Sequence, residues 1–415
     1  MKRTVIAALS LSLLTACAPK SFGPVPTKAQ LEWQDMEYYM FCHFGPNTFT
    51  DKEWGDGDED PDVFCPTGLD CDQWAATARA AGMKGIVITA KHHDGFCLWP
   101  SRYSTHTVAQ SSWRDGKGDV LKELSEACRA HGLKFGIYIS PWDRNHPSYG
   151  TEAYNEVFAG TVREAHEQYG PVFEQWFDGA CKPKPGQPLM PYDWPLFNNT
   201  VYSVSPDAVI FSDVGPDCRW VGNEKGYAGE TNWCRLDTEG FTPGAGAPPR
   251  DTLNQGNVFG KNWVPAECDV SIRPGWFYSP STDDKVKSVD ELMEIWFASV
   301  GRGANLILNV PPDRTGRINS IDSLRLMEFK AAREAYFTRG DDAKCVVICE
   351  DLRYGQKIKS FVVEARKDGK WIEVASGTTV GHKRIVRFEA GDVGRIRVRV
   401  TDSFGRPSIK SVKVY

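Results

Sequence analysis

Short apolar runs alternate with helical stretches through most of this chain, and that alternation leaves few folds open. Runs at 38–44, 84–90, 135–140 and 173–177 read as strands, with helical patterns at 72–82, 119–132 and 151–169 between them. The 119–132 segment puts Val120, Leu121, Leu124, Ala127 and Cys128 on one face and closes at Gly132. Each strand ends in a polar and aromatic cluster: His43-Phe44-Gly45-Pro46, Lys91-His92-His93-Asp94, Ser140-Pro141-Trp142-Asp143 and Asp178-Gly179. Strands and helices in strict alternation imply a parallel sheet with crossover helices. The pattern continues with a helix at 194–204 and a strand at 208–213. A capping box, Ser288-Val289-Asp290-Glu291, then opens another helix, followed by a strand at 304–310 and a helix at 321–337. Residues 214–280 read as irregular, with strands that periodicity does not reveal. About 300 residues of this kind suit a closed α/β barrel of the (β/α)8 type, which carries its chemistry at the C-terminal ends of the strands.

From about residue 340 the period changes to two, as in Ser360-Phe361-Val362-Val363 and Arg395-Ile396-Arg397-Val398-Arg399-Val400, with turns such as Asp368-Gly369 between runs. The expected division is a barrel over 27–339 and a C-terminal all-β sandwich over 340–415. Only Trp371 offers the sandwich an aromatic surface for a sugar, so a buttress is its expected role.

Residues 1–16 read as a leader and 17–26 as a tether. Lys2 and Arg3 precede an apolar stretch too short to span a bilayer, and Leu14-Thr15-Ala16-Cys17 resembles a lipoprotein cleavage box. Cys17 is the expected lipidation site, which would hang the protein from a membrane in a bacterial periplasm by lipid alone. A net charge of −5 with no basic stripe excludes nucleic acid as a partner. Removing Cys17 from the 12 cysteines leaves an odd number with no Cys-x-x-Cys pair, so zinc or redox service is not expected.

The chemistry is concentrated at strand ends. Asp178 follows Phe173, Trp176 and Phe177 and precedes Gly179, so it stands where a packed strand stops. It reads as the nucleophile of a sugar-cleaving enzyme; a capping aspartate is the plain alternative. Retaining glycoside hydrolysis needs a second carboxyl group as acid, and Glu224, Glu230 and Glu267 lie among Trp and Gly in the irregular region. His43, His92 and His93 fall at the first two strand ends, where they could serve sugar hydroxyls. A metal site built from these three and Asp94 is the rival reading, weakened because adjacent histidines at a strand end point apart. No metal or other cofactor is expected.

Six segments in order, Phe41-Cys42-His43-Phe44-Gly45, Glu53-Trp54-Gly55, Lys91-His92-His93-Asp94-Gly95-Phe96, Gly136-Ile137-Tyr138-Ile139-Ser140, Trp176-Phe177-Asp178-Gly179-Ala180 and Val270-Ser271-Ile272-Arg273-Pro274-Gly275-Trp276-Phe277, together resemble the α-L-fucosidases of glycoside hydrolase family twenty-nine. The likeness runs from about residue 27 to the C-terminus and implies a barrel followed by a β-sandwich. It assigns the nucleophile to Asp178 and fucose contacts to His43, Trp54, His92, His93 and Tyr138. The run Arg219-Trp220-Val221-Gly222-Asn223-Glu224 is similar to the branch acting on α-1,3 and α-1,4 fucosyl linkages, which implies Glu224 as acid/base, with Glu230 as runner-up. Glu267 and Trp276 would then line the pocket. The expected activity is that of a retaining exo-α-L-fucosidase acting on fucosylated oligosaccharides or glycoconjugates. The alternatives are a lipid-anchored glycan-binding protein without catalysis and a retaining glycosidase for another sugar.

Overall fold

Eight parallel strands close into a barrel in the computed structural model, which describes residues 20–183, 188–338, 343–389 and 395–415. Cys17 and the leader lie outside these residues. The strands are β1 (Tyr38–Cys42), β2 (Gly85–Lys91), β3 (Lys134–Ile139), β4 (Val172–Trp176), β5 (Val209–Ser212), β6 (Cys218–Trp220), β7 (Ala266–Ser271) and β8 (Asn305–Asn309). They pair in sequence order, and β1 closes on β8 in the register Tyr38↔Leu306 to Phe41↔Asn309. Almost every barrel-strand residue is buried, as expected where helices cover the outer face of a parallel sheet.

Side chains alternate between the helices and the barrel interior. Tyr38, Met40 and Cys42 join the outer core, whereas Tyr39 and Phe41 join an inner cluster with Val87, Tyr138, Trp176, Phe211 and Ile307. Trp33 and Met36, in and after helix α1 (Lys28–Gln34), join this inner cluster ahead of β1. Crossover helices α2 (Cys71–Ala80), α3 (Val120–Ala130), α4 (Ala153–Tyr169), α5 (Trp194–Val204) and α6 (Val289–Ala298) form the outer layer, followed by α7 (Ser320–Tyr336). The expected box at Ser288 is present: its side chain accepts from Glu291 N while the Glu291 carboxyl accepts from Ser288 N.

The stretch read as irregular holds two barrel strands. β6 is too short to show a period. β7 alternates the wrong way round for a surface strand, with Ala266, Cys268 and Val270 against the helices and Glu267, Asp269 and Ser271 turned inward. Residues 213–217 connect β5 to β6 without a helix.

Six further strands form the C-terminal unit: β9 (Cys345–Glu350), β10 (Ile358–Lys367), β11 (Lys370–Gly377), β12 (Arg384–Arg387), β13 (Ile396–Ser403) and β14 (Ile409–Val414). They make two antiparallel sheets, β12-β9-β14 and β11-β10-β13, that enclose Val346, Ile348, Phe361, Val363 and Val386. Arg397 lies 4.2 Å over the ring of Trp371, so that aromatic face is already occupied. The eleven cysteines after Cys17 are all free thiols, and the eight buried ones act as small core residues.

The loop after β7 is held by an ion pair with no solvent exposure on either side. Arg273 Nε donates to both oxygens of Asp322 at the start of α7 (3.0 and 2.8 Å), and Nη1 donates to Asp283 (2.8 Å) and Thr282 (3.1 Å). Removing one partner of such a pair strands a buried charge. Asp322→Ala should therefore lower the unfolding free energy by about 3 kcal/mol, softened because Asp283 remains. Denaturant titration of the two proteins checks this; equal midpoints would refute it.

Candidate active site

The inward series on the strands continues past their ends into a pocket. Tyr39, Phe41 and His43 climb β1; Glu174, Trp176 and Asp178 climb β4; Glu267, Asp269 and Ser271 climb β7. Asp178 stands at the mouth, with its side chain 23% exposed. Its Oδ2 accepts from the Tyr138 hydroxyl (2.9 Å) and its Oδ1 from the Ala180 backbone N–H (2.6 Å). Burial raises its pKa, and those two hydrogen bonds offset part of the rise.

The three histidines converge around it. Asn309 Nδ2 donates to the Trp276 carbonyl (2.8 Å) and to Ser271 Oγ (2.9 Å), so its Oδ1 faces the His43 ring as the acceptor. His43 Nδ1 lies 2.9 Å from that oxygen and therefore carries the proton, which leaves Nε2 as an acceptor. Ser140 Oγ donates to the Trp142 carbonyl (3.0 Å) and so accepts from His93 Nδ1 (2.7 Å). His93 Nε2 is then also an acceptor, 3.8 Å from Asp178 Oδ2. Burial pushes both rings down to about 3 and His92 well below its ordinary value, with His93 and His43 adding to the effect at His92. Neutral imidazoles with free ring nitrogens suit sugar hydroxyls. Asp94 does not join them: its Oδ1 turns back to the Phe96 N–H (2.7 Å), and burial lifts its pKa to about 7.

Aromatic rings wall the pocket. Tyr138 stacks on Trp176 (5.2 Å between centroids) and on His92 (5.8 Å). Trp276 tilts against His43 (4.9 Å), and Trp54, 43% exposed at the rim, meets His93 edge-on (5.7 Å) under Lys182. Two residues missed by sequence reasoning fix these rings: Asn309, and Glu53, whose carboxylate accepts from Trp276 N (2.8 Å). Asp269 was missed as well; it accepts from Trp220 Nε1 (3.0 Å) beside the site.

The three candidate acids separate. Glu224 is exposed as a residue, but its carboxyl is partly enclosed, hydrogen-bonds Trp276 and feels the Asp178 charge; that partial burial, then Asp178, raise its pKa against the bond. Glu230 turns the other way, to Arg302 and to Arg384 of the sandwich (2.8 Å to the latter), so it is not brought to the pocket. Glu267 also departs from expectation. It is fully buried beneath the pocket on β7, not carried by a loop, and its oxygens accept from Trp176 Nε1 (2.8 Å) and the Tyr39 hydroxyl.

A barrel followed by a sandwich of this kind has counterparts among known proteins. The family model for alpha-L-fucosidase matches residues 22–331. The chain belongs to the alpha-L-fucosidase family. It is a glycoside hydrolase of that family. Alpha-L-fucosidase 1 of Arabidopsis thaliana is 39% identical over 88% of this chain and 82% of its own length. A crystal structure of a glycoside hydrolase 29 family member from an unknown rumen bacterium is 41% identical, with a TM-score of 0.89, over 95% of this chain and 78% of that one. A Ruminococcus gnavus fucosidase solved in complex with fucose is 29% identical, with a TM-score of 0.84, over 97% of this chain and 96% of that one.

Within this fucosidase, Asn309 bridges β8, β1 and the Trp276 loop. Asn309→Ala would leave the buried His43 Nδ1–H and backbone N–H without their acceptor, at about 1–3 kcal/mol each. The expected result is a KM for an aryl fucoside raised roughly tenfold together with a lower melting temperature. Steady-state kinetics and a melting curve test it; unchanged values of both would remove Asn309 from this role.

Proposed function

We propose that this fucosidase is a retaining exo-enzyme that releases terminal L-fucose from α-1,3 and α-1,4 linkages by double displacement. The observation that carries the reading is Asp178 at the pocket lip, held by Tyr138 and Ala180, with the Glu224 carboxyl near enough to feel its charge. In the first step an Asp178 oxygen attacks the anomeric carbon while Glu224 gives its proton to the departing glycosidic oxygen. In the second, Glu224 takes a proton from water, the water oxygen attacks the same carbon, and the ester to Asp178 breaks. His43, His92, His93 and Tyr138 address the sugar hydroxyls, and the Trp54 and Trp276 rings supply apolar wall for the 6-methyl group. The Ruminococcus gnavus relative's complex with fucose supports this choice of sugar. The linkage preference rests on the similarity of the run ending at Glu224. Release of fucose from 2′-fucosylated oligosaccharides as fast as from Lewis-type ones would refute it.

Asp178→Ala should abolish turnover with the fold intact. A slow fluorinated fucoside should form its ester on Asp178, located by peptide mass spectrometry; an adduct elsewhere would overturn the assignment. Azide should restore much of the lost rate in Glu224→Ala on an activated aryl fucoside, while Glu230→Ala should keep near-normal chemistry.

The pH profile follows from the directions of the two shifts. Asp178 must be ionised to attack, so rate falls as pH drops through its raised pKa, above the range of an ordinary aspartate. Glu224 must be protonated to donate, so rate falls as pH rises through its own raised pKa. Tyr138→Phe removes a hydrogen bond to the ionised form of Asp178 and should move the acid limb to higher pH. An acid limb that stays put would contradict the role given to Tyr138.

A further inference from the structure

Two carboxyl groups meet inside the barrel beneath the pocket. Glu174 on β4 and Glu267 on β7 are both fully buried, and one atom of each, with Cys218 Sγ, lies within 4.8 Å of the others. Among the described residues neither has a Lys, Arg or His partner. Their surroundings are unequal. Glu267 accepts from two strong donors, the Trp176 indole (2.8 Å) and the Tyr39 hydroxyl. Glu174 Oε1 accepts from Trp33 Nε1 (3.1 Å) and weakly from the Cys218 thiol (3.7 Å), while Glu174 Oε2 meets no donor at all.

Two ionised carboxylates this close, in a dry core without a cation, repel each other and lose their hydration. One proton removes both penalties, and the donor count says where it sits. Three N–H or O–H groups already point at Glu174 Oε1 and the two Glu267 oxygens, which leaves Oε2 of Glu174 as the oxygen free to carry hydrogen. We propose that Glu174 is a neutral acid that donates to an ionised Glu267, and that this pair positions Asp178 through the rings above it. Glu267 holds the Trp176 indole; Trp176 stacks on Tyr138 at 5.2 Å; Tyr138 donates to Asp178 at 2.9 Å. Burial and the Glu267 charge raise the Glu174 pKa well above normal, in agreement with that assignment.

The inference rests on the fucosidase reading only in its last step, so its test has two independent arms. Glutamine imitates a neutral glutamic acid but not a glutamate that accepts from two donors. Glu174→Gln should therefore keep the wild-type melting temperature and remove one protonated-carboxyl carbonyl stretch from the infrared difference spectrum at neutral pH. Glu267→Gln must turn an amide N–H toward the Trp176 or Tyr39 donor; it should melt lower and reduce kcat about tenfold or more with KM little changed. Glu267→Asp, which keeps the charge, should recover part of that kcat. A missing carboxyl band, the reverse order of tolerance, or a stoichiometric metal released on denaturation would each overturn the proton assignment. A normal band and melting order with no effect on kcat would remove the positioning role, while wild-type protein that releases no fucose would instead defeat the functional reading and leave the pair intact.

Discussion

The pairing of β1 with β8 is the constraint on which the site depends. It closes the barrel and sets Phe41 beside Asn309, so the residue after β1, His43, meets the Asn309 amide at the rim. From that amide the order spreads to the Trp276 carbonyl and Ser271, and the Arg273–Asp322 pair fixes the same loop from behind. A strand slipped by one residue would turn every inward side chain outward, so ring closure and pocket geometry are one fact.

Burial then decides protonation. The rim histidines are neutral because charging them in an apolar ring of Phe, Tyr and Trp is unfavourable, and each has one nitrogen committed or shielded. The same burial raises carboxyl groups, but unequally, because hydrogen-bond donors are shared out unequally. Asp178 receives two, Asp94 one, and Asp213, raised to about 7 by burial, leans on the Gly244 N–H. A pocket that holds several acids at different proton affinities can present a base and an acid side by side at one pH.

Much of this was legible in the sequence. The barrel strands with apolar runs, the capping box at Ser288, the cluster of His43, His92 and His93, and the strand-end position of Asp178 all follow from local pattern. What pattern could not show was β6, too short for a period, and β7, whose inward face is acidic. A strand that points Glu267 and Asp269 into a barrel looks like a polar loop until the fold is closed around it, which is why the sequence places Glu267 in an irregular region lining the pocket. Asn309 and Glu53 escaped because their work is done on neighbours far along the chain. Glu230 misled for the opposite reason: its Gly and Trp neighbours resemble a pocket, but its carboxylate answers arginines from two other elements, one of them 154 residues away.

That last contact ties distant parts of the molecule together. Arg384 of the sandwich grips both the carboxylate (2.8 Å) and the carbonyl (2.7 Å) of Glu230, and Thr379 receives the Asn232 N–H (2.8 Å), so the segment that begins at Glu224 is moored at its far end to the C-terminal sheets. The sandwich works as a quay rather than as an appendage. Exchanging it for that of a relative would shift the berth of the loop that carries Glu224, and chimeras of such enzymes would differ first in which leaving groups they accept.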